Sequence, residues 1–99
     1  MRLSSEQRET ILRVVAEIAG PQARTRLFGS RVDDSKRGGD IDLLIELDEP
    51  VGNSASLYAT LSSRLSRALD GRQVDVLLMA PNLTVQPIHQ VALARGVLL

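Results

Sequence analysis

The sequence predicts an α/β (α+β) protein with a two-layer architecture, in which helices pack on a mixed sheet of three to four strands. Segments with helical spacing of apolar residues alternate along the chain with short runs of branched aliphatic residues. A strand, a helix and a strand follow one another over residues 41–79, which predicts a right-handed crossover between parallel strands. The chain has 99 residues without an internal repeat or linker. We therefore expect one domain over residues 1–99 with a single modest core.

The first predicted element is an amphipathic helix. Ser4 is followed three residues later by Gln7, and such a pair forms a capping box in which each side chain bonds the other's backbone amide. Gly20 and Pro21 end the helix. Between these limits, apolar residues recur at helical spacing: Ile11, Leu12, Val14, Val15 and Ile18.

Two strands separated by a loop follow the helix. Residues 23–28 predict a half-buried strand with Arg24 and Arg26 facing solvent or a ligand. Residues 29–39 contain three glycines, several charges and almost no apolar side chain, so they predict a loop of a length that is often functional. Residues 41–47 are rich in branched aliphatic side chains and form the clearest strand.

The next two elements are a helix and a strand. Ser54 can cap the helix at its start, and the helix ends at Asp70 and Gly71. The strand, Val74–Met79, is apolar apart from Asp75, so we expect both of its faces to be covered. The apolar stripe of the helix is formed by Leu57, Tyr58, Leu61, Leu65, Ala68 and Leu69.

The end of the chain predicts a short helix over about residues 85–95, closed by Gly96. His89 on this helix is expected at the surface or at the edge of the core, and not in a catalytic role. Tyr58 is expected in the core or in an interface. The apolar residues 97–99 then form an edge strand or contact a partner chain.

Composition excludes several classes of protein. Twelve Lys and Arg residues balance twelve Asp and Glu residues, which argues against a protein that wraps nucleic acid. Phe28 and Tyr58 are the only aromatic residues on which bases could stack. Without cysteine there is no disulfide, thiolate zinc site or cysteine nucleophile. No apolar run is long enough for a membrane span and the polar start is not a signal peptide, so we expect a soluble cytoplasmic protein.

Three carboxylates form the first candidate site. Asp40 and Asp42 flank Ile41 at the start of the clearest strand, where residues two apart point to the same face about 6.6 Å from each other. Two like charges this close are costly unless a cation lies between them, and Mg²⁺ prefers one or two carboxylates together with water and phosphates. Asp75 interrupts the apolar run of residues 74–79. Its carboxylate can lie beside those of Asp40 and Asp42 if this strand and the strand over residues 41–47 are neighbours in the sheet. The alternative for Asp40 and Asp42 is a solvated strand entrance without a bound cation, and the alternative for Asp75 is a carboxylate at the surface end of its strand.

Gly29 and Ser30 form the second candidate site, because they follow a strand and open the glycine-containing loop. A glycine lets backbone amides approach an anion, and the hydroxyl can bond a phosphate oxygen. With the carboxylates, this predicts transfer chemistry on a nucleoside triphosphate. Four cations are predicted near the loop, either solvated or offsetting the acids and attracting a polyanion: Arg24, Arg26, Lys36 and Arg37.

These residues resemble the motif of the nucleotidyltransferase superfamily that includes polymerase beta. Gly29 and Ser30 are followed, after nine residues, by Asp40, Ile41 and Asp42, with a further Asp on a later apolar strand. Among the members, the sequence is most similar to the minimal nucleotidyltransferase (MNT) domain, the antitoxin half of HEPN-MNT toxin-antitoxin pairs. The similarity extends from about residue 5 to the C-terminus.

The resemblance implies the nucleotidyltransferase fold and roles for the matching residues. Asp40 and Asp42 would hold the Mg²⁺ ions that bridge the triphosphate of ATP. Asp75 would complete the metal and catalytic site, as the base or the metal ligand that activates an acceptor hydroxyl. Ser30 and the amides around Gly29 would hold the β- and γ-phosphates.

Arg31 would add charge to this nucleotide-binding site. The implied reaction is the in-line attack of a hydroxyl on the α-phosphorus of ATP, which releases pyrophosphate. In the family the acceptor is a tyrosine of the partner HEPN ribonuclease toxin, and its adenylylation (AMPylation) switches the toxin off. The resemblance thus implies an antitoxin that can form a hetero-oligomer with its toxin, and from the composition we expect no direct binding of nucleic acid or membrane.

Two alternatives stay open. In the first, the protein neutralises its toxin by binding alone, with the site serving as a nucleotide-dependent recognition surface or a vestige. In the second, the acceptor is a small molecule such as an aminoglycoside, although few residues are left for a substrate-binding subdomain.

Overall fold

The computed structural model describes residues 3–29 and 40–99, which form three helices and four strands. The predicted element order is confirmed, including the alternation of strands and helices in the second half. In chain order the elements are α1 (Ser5–Ala19), β1 (Arg24–Phe28), β2 (Ile41–Glu46), α2 (Ser54–Ala68), β3 (Val74–Met79), α3 (Pro87–Arg95) and β4 (Val97–Leu98).

The four strands form one mixed sheet in the order β3-β2-β1-β4. β2 and β3 run parallel, joined through α2, as the predicted strand, helix and strand unit requires. β1 is antiparallel to both β2 and β4. The apolar tail therefore forms an edge strand, which was one of the two predicted outcomes.

The main core lies between one face of the sheet and the helices α1 and α2. Alternate residues of β2 point to this face, and Ile41, Leu43 and Ile45 are fully buried there. The other members of the core are Ile11, Val14, Val15, Leu27, Leu61, Leu65, Leu69, Val74 and Val76. Since the intervening residues of β2 point the other way, Asp42 lies on the opposite face.

Helix α3 covers the middle of that second face. It contacts β1 and β2, and both Leu44 and Ala92 are fully buried outside the main core. Because the N-terminal part of α3 lies beside β3 and its C-terminal end packs against β1, the helix crosses the sheet. Within residues 3–29 and 40–99, no helix covers the end of this face at which β2 and β3 begin, where Asp42 is half-buried and Asp75 is exposed.

The helix caps follow the predicted chemistry with one correction. In the capping box of α1, the backbone N–H of Gln7 donates to Ser4 Oγ at 3.0 Å and the N–H of Ser4 donates to Gln7 Oε1 at 3.0 Å. In α2 the cap is Asn53, not Ser54, and its side chain accepts from the Ser56 N–H at 3.0 Å. Asn is at least as good a cap as Ser, so the helix begins with Ser54 as its first helical residue.

One prediction of burial is wrong, and for Tyr58 one of its two predicted places is excluded. β3 is an edge strand in which Asp75 is exposed and residues 77–79 are half-buried, so its two faces are not equally covered. Tyr58 is 46% exposed and lies outside the core, which leaves the interface as its predicted place. Among the described residues, no helix is both long and apolar enough to cross a membrane.

Gly96 joins α3 to β4 where backbone segments pack closely. A Cβ atom added there would lie 3.2 Å from the carbonyl oxygen of Leu27 and closer still to that of Ala92, and neither backbone oxygen can rotate away. We expect Gly96→Ala to lower the free energy of unfolding by roughly 1–3 kcal/mol, measured by urea denaturation. Gly52→Ala is the control, since a Cβ there meets nothing within 4 Å. Equal stability of the two variants would contradict the close packing.

Candidate active site

Asp42 and Asp75 are brought together by the parallel pairing of β2 and β3. Asp42 lies directly opposite Asp75 in the strand register, on the open end of the second face. Burial raises the pKa of the Asp42 carboxyl, and the charge of Asp75 and a hydrogen bond with its side chain raise that pKa further. The two carboxyl groups are therefore close enough to repel each other strongly when both are ionised.

Asp40 lies one residue before β2 and is exposed. Its charge also raises the pKa of Asp42, although as the smallest of the causes. All three sequence-predicted acids thus lie at the same end of the sheet, with Asp42 and Asp75 in the closest association. On Asp75, Oδ1 also accepts a long hydrogen bond from Gln73 Nε2 at 3.4 Å.

Gly29 closes the site on the side of β1. β1 ends at Phe28, which lies opposite Asp42, and Gly29 follows with φ of +78°, in the left-handed region that favours glycine. A Cβ atom added to Gly29 would lie 3.1 Å from Cγ of Asp42 and would overlap its Oδ2. Sequence reasoning assigned Gly29 to phosphate binding alone, and missed that the missing side chain makes room for Asp42.

The donor set at the site suits Mg²⁺. In the part of the chain that the structure describes, no three His, Cys, Asp or Glu side chains enclose a metal position by themselves. The pair Asp42 and Asp75 nevertheless suits Mg²⁺, since a cation would offset both the burial of Asp42 and the repulsion from Asp75, which together raise the pKa of Asp42. Mg²⁺ is commonly held by one or two carboxylates, with water and substrate phosphates as further ligands. Asp40 as a third ligand stays a prediction.

The predicted phosphate-binding residues Ser30 and Arg31 lie outside the described residues, as do Lys36 and Arg37. Their roles therefore stay predictions. Of the predicted nucleotide-binding residues, the structure places only Gly29, beside Asp42.

Arg24 and Arg26 lie away from the predicted phosphate loop. Arg26 Nε donates to Glu46 at 2.6 Å, and Arg24 bonds both Glu46, at 3.3 Å, and Asp48, at 2.9 Å. These acids are at the end of β2 remote from Asp42, so the predicted grouping of the two arginines with the phosphate site is wrong. The alternation of residues in β1 predicts that both arginine side chains share one face of the sheet. It does not predict their partners, because Glu46 and Asp48 lie at the end of β2 and just after it.

His89 is buried beside β3, which agrees with its predicted position at the edge of the core and excludes the surface. The side chain is 5% exposed, and its Nδ1 accepts from the backbone N–H of Gln86 at 3.0 Å. Since Nδ1 is an acceptor, Nε2 carries the proton and donates to the carbonyl oxygen of Leu78 at 2.9 Å. These bonds tie the start of α3 to β3.

The chain matches the nucleotidyltransferase domain family over residues 8–98. No curated protein matches it significantly. Among solved structures, a toxin-antitoxin with AMP-PNP is 22% identical, with a TM-score of 0.69 over 96% of this chain and 72% of that one.

A second similar structure is a MntA-HpeT toxin-antitoxin in which a tyrosine is mutated to alanine. It is also 22% identical, with a TM-score of 0.66 over 93% of this chain and 69% of that one. At this identity the two structures establish the fold, whereas the sequence match covers nearly the whole chain and both paired carboxylates. This chain belongs to the nucleotidyltransferase domain family.

Proposed function

We propose that this protein is an antitoxin that uses Mg²⁺ to transfer AMP from ATP to a tyrosine hydroxyl of a HEPN ribonuclease toxin. The observation that carries the proposal is the pair of carboxylates Asp42 and Asp75, held opposite each other on neighbouring parallel strands. Family membership supplies the reaction class. The two similar structures are toxin-antitoxins, and one was solved with AMP-PNP, an analogue of ATP.

The carboxylates divide the chemistry between them. Asp42, half-buried and fixed between Gly29 and Asp75, holds the metal and triphosphate end of the site. Mg²⁺, when bound, would neutralise charge on the triphosphate and on the carboxylates. Asp75 is exposed and accepts the proton of the acceptor hydroxyl, or orients that hydroxyl as a metal ligand.

In the transfer step the tyrosine oxygen forms a bond to the α-phosphorus of ATP. The bond from that phosphorus to the oxygen shared with the β-phosphorus breaks, and pyrophosphate leaves with the electron pair. The proton of the hydroxyl passes to the carboxylate of Asp75. Ser30, Arg31 and the amides around Gly29 would hold the β- and γ-phosphates during this step.

The exposure of Asp75 is compatible with an acceptor on another protein. Asp75 and Asp40 are both exposed at the open end of the sheet, so a side chain of another folded protein can reach them from the solvent side. The neutral charge balance is compatible with a protein surface and unfavourable for a polyanionic acceptor such as RNA.

Mass spectrometry of the toxin tests the proposal. After incubation of the chain with ATP, Mg²⁺ and a candidate HEPN toxin, the intact mass of the toxin should rise by at least one AMP, located on a tyrosine. Asp40→Ala, Asp42→Ala and Asp75→Ala should each abolish the added mass. Glu49→Gln, which alters an exposed acid away from the site, should leave it unchanged.

Two results would contradict the proposal. One is the absence of added mass with either Mg²⁺ or Mn²⁺. The other is a chain carrying both Asp42→Ala and Asp75→Ala that still silences the ribonuclease at equal stoichiometry, which would show neutralisation by binding alone. Modification of an aminoglycoside in place of the toxin would identify a small-molecule acceptor.

A further inference from the structure

The outer side of β3 is a free strand edge. β3 pairs with β2 on one side, and no other described strand pairs with it. Toward β2, the carbonyl oxygens of Gln73 and Met79 accept bonds from the backbone N–H groups of Ile41 and Leu47. Alternate residues of a strand in a parallel ladder direct their backbone groups to the same neighbour. The odd-numbered residues of β3 therefore face β2.

The even-numbered residues of β3 face outward. The carbonyl oxygen of Leu78 confirms this direction, because it accepts the bond from His89 Nε2 on the outer side. The backbone N–H and C=O of Val76 also point outward, and within residues 3–29 and 40–99 they have no hydrogen-bond partner. An edge strand with open backbone groups is a template for pairing with another chain.

A groove of about 460 Å³ runs along this edge. The N-terminal half of α2 forms one wall and the segment before α3 forms the other. The wall of α2 carries Tyr58, which is 46% exposed. The main apolar and aromatic residues that line the groove are Ala55, Tyr58, Val76, Leu78 and Leu83. The groove thus has apolar walls beside a hydrogen-bonding backbone edge.

These features select an extended peptide segment as the occupant. An added strand can bond the open N–H and C=O of Val76 and place alternate side chains against the apolar walls. A docked helix satisfies its own backbone internally and would leave those groups of Val76 buried without partners.

The groove and the candidate active site adjoin each other along β3. Asp75 directly precedes Val76 on the same strand, and its side chain lies on the open face beside Asp42. On paired strands, side chains that lie opposite each other have Cβ atoms about 5 Å apart. A tyrosine on an added strand, opposite Asp75, would therefore direct its ring along the same face.

We propose that the acceptor protein presents its hydroxyl on an extended segment that pairs with the outer edge of β3, in the groove beside Tyr58. This inference rests on the proposed function and names how that site selects its substrate. On this proposal, the edge of β3 binds a tyrosine of the acceptor protein that lies in an extended segment, and it does not bind a tyrosine that lies within a helix.

Amide hydrogen exchange measured by NMR tests the docking. In the complex of the full chain with the HEPN toxin, exchange at the Val76 amide should slow by at least about tenfold relative to the free chain. The Leu77 amide, which faces β2, is the reference because it is already bonded within the sheet. Unchanged exchange at Val76 in the complex would overturn the inference.

Groove variants test the same point by kinetics. Ala55→Glu and Tyr58→Glu should raise KM for the toxin at least about tenfold, with AMP-PNP binding unchanged, because a charge in an apolar groove opposes docking. Ser63→Glu, on an exposed position of α2 outside the groove, is the matched control. Wild-type KM in both groove variants would overturn the inference.

The outcomes separate this inference from the proposed function. If AMP is transferred while the Val76 amide stays unprotected, the docking inference fails and the function stands. If no AMP is transferred while Val76 is protected in the complex, the function fails and the docking stands. Protection of Val76 in the chain alone, with a dimer mass by light scattering, would assign the edge to a second copy and overturn the inference.

Discussion

Asp42→Asn is expected to lower the rate of nucleotidyl transfer by roughly 10²–10³-fold, a loss typical of removing one preorganised electrostatic contact from an active site. Asn keeps the shape of the side chain but carries no charge to hold Mg²⁺ against the triphosphate. Initial rates of AMP addition to the toxin at saturating ATP give the comparison. A variant that retains at least a tenth of the wild-type rate would contradict the assigned role of Asp42.

The same substitution is expected to stabilise the fold. Burial and the charges of Asp75 and Asp40 raise the pKa of Asp42, so ionisation of this carboxyl is unfavourable in the folded state. A carboxyl whose folded pKa is raised costs stability once the pH exceeds its unfolded value. Asp42→Asn removes that cost, and because solvent screens the charge of this half-buried group, we expect a gain of about 1 kcal/mol or less in the free energy of unfolding near pH 7.

The pH dependence identifies the origin of this gain. Below the ordinary carboxyl pKa of 3.8, Asp42 is protonated in both states and the variant should match the wild type. The difference should grow as the pH rises through the folded pKa of Asp42 and then stay constant. Urea denaturation across this range measures it, with Glu49→Gln as the control for a charge removed elsewhere. A loss of stability at pH 7, or a difference independent of pH, would contradict the interpretation.

Much of the fold follows from local patterns. The capping box of Ser4 and Gln7 fixes where α1 begins, and the apolar period of residues 11–18 fixes the face it buries. The position of β3 in the sheet could not be predicted this way, because an apolar run such as Val74–Met79 is compatible with a central or an edge strand. Strand order depends on contacts between segments remote in sequence.

In the candidate site, too, local sequence patterns predict some features, whereas others depend on how the strands pair. The spacing of Asp40 and Asp42, and the interruption of an apolar run by Asp75, placed three acids at one end of the sheet from the sequence alone. Two contacts required the antiparallel register of β1 and β2. One is the approach of Gly29 to Asp42, and the other is the pairing of Arg26 with Glu46.

Gly29→Ala is expected to damage both stability and catalysis. At φ of +78° an alanine costs about 1–2 kcal/mol in backbone conformation. The added Cβ would also overlap Oδ2 of Asp42, which can escape only if the carboxylate rotates or β1 and β2 separate. Because displacement of a reacting group by about 1 Å can cost about 10²-fold, we expect a loss of this size in kcat for AMP transfer.

Gly71→Ala separates the two effects. Gly71 has φ of +81°, close to that of Gly29, but a Cβ there meets nothing within 4 Å. Gly71→Ala should therefore lose about 1–2 kcal/mol of stability for the conformational reason alone and keep wild-type kcat. If Gly29→Ala also keeps wild-type kcat, then Gly29 does not position Asp42.

A double-mutant cycle assigns the remaining stability loss to the contact between Gly29 and Asp42. In the Asp42→Ala background, Cγ and the carboxylate oxygens are gone, and a Cβ on residue 29 would meet only Cβ of residue 42, at an ordinary 3.4 Å. Gly29→Ala should then cost little more than Gly71→Ala, whereas in the wild-type background it costs more. Contacting residues commonly couple by about 0.5–3 kcal/mol, so additivity within about 0.3 kcal/mol would show that no such overlap exists.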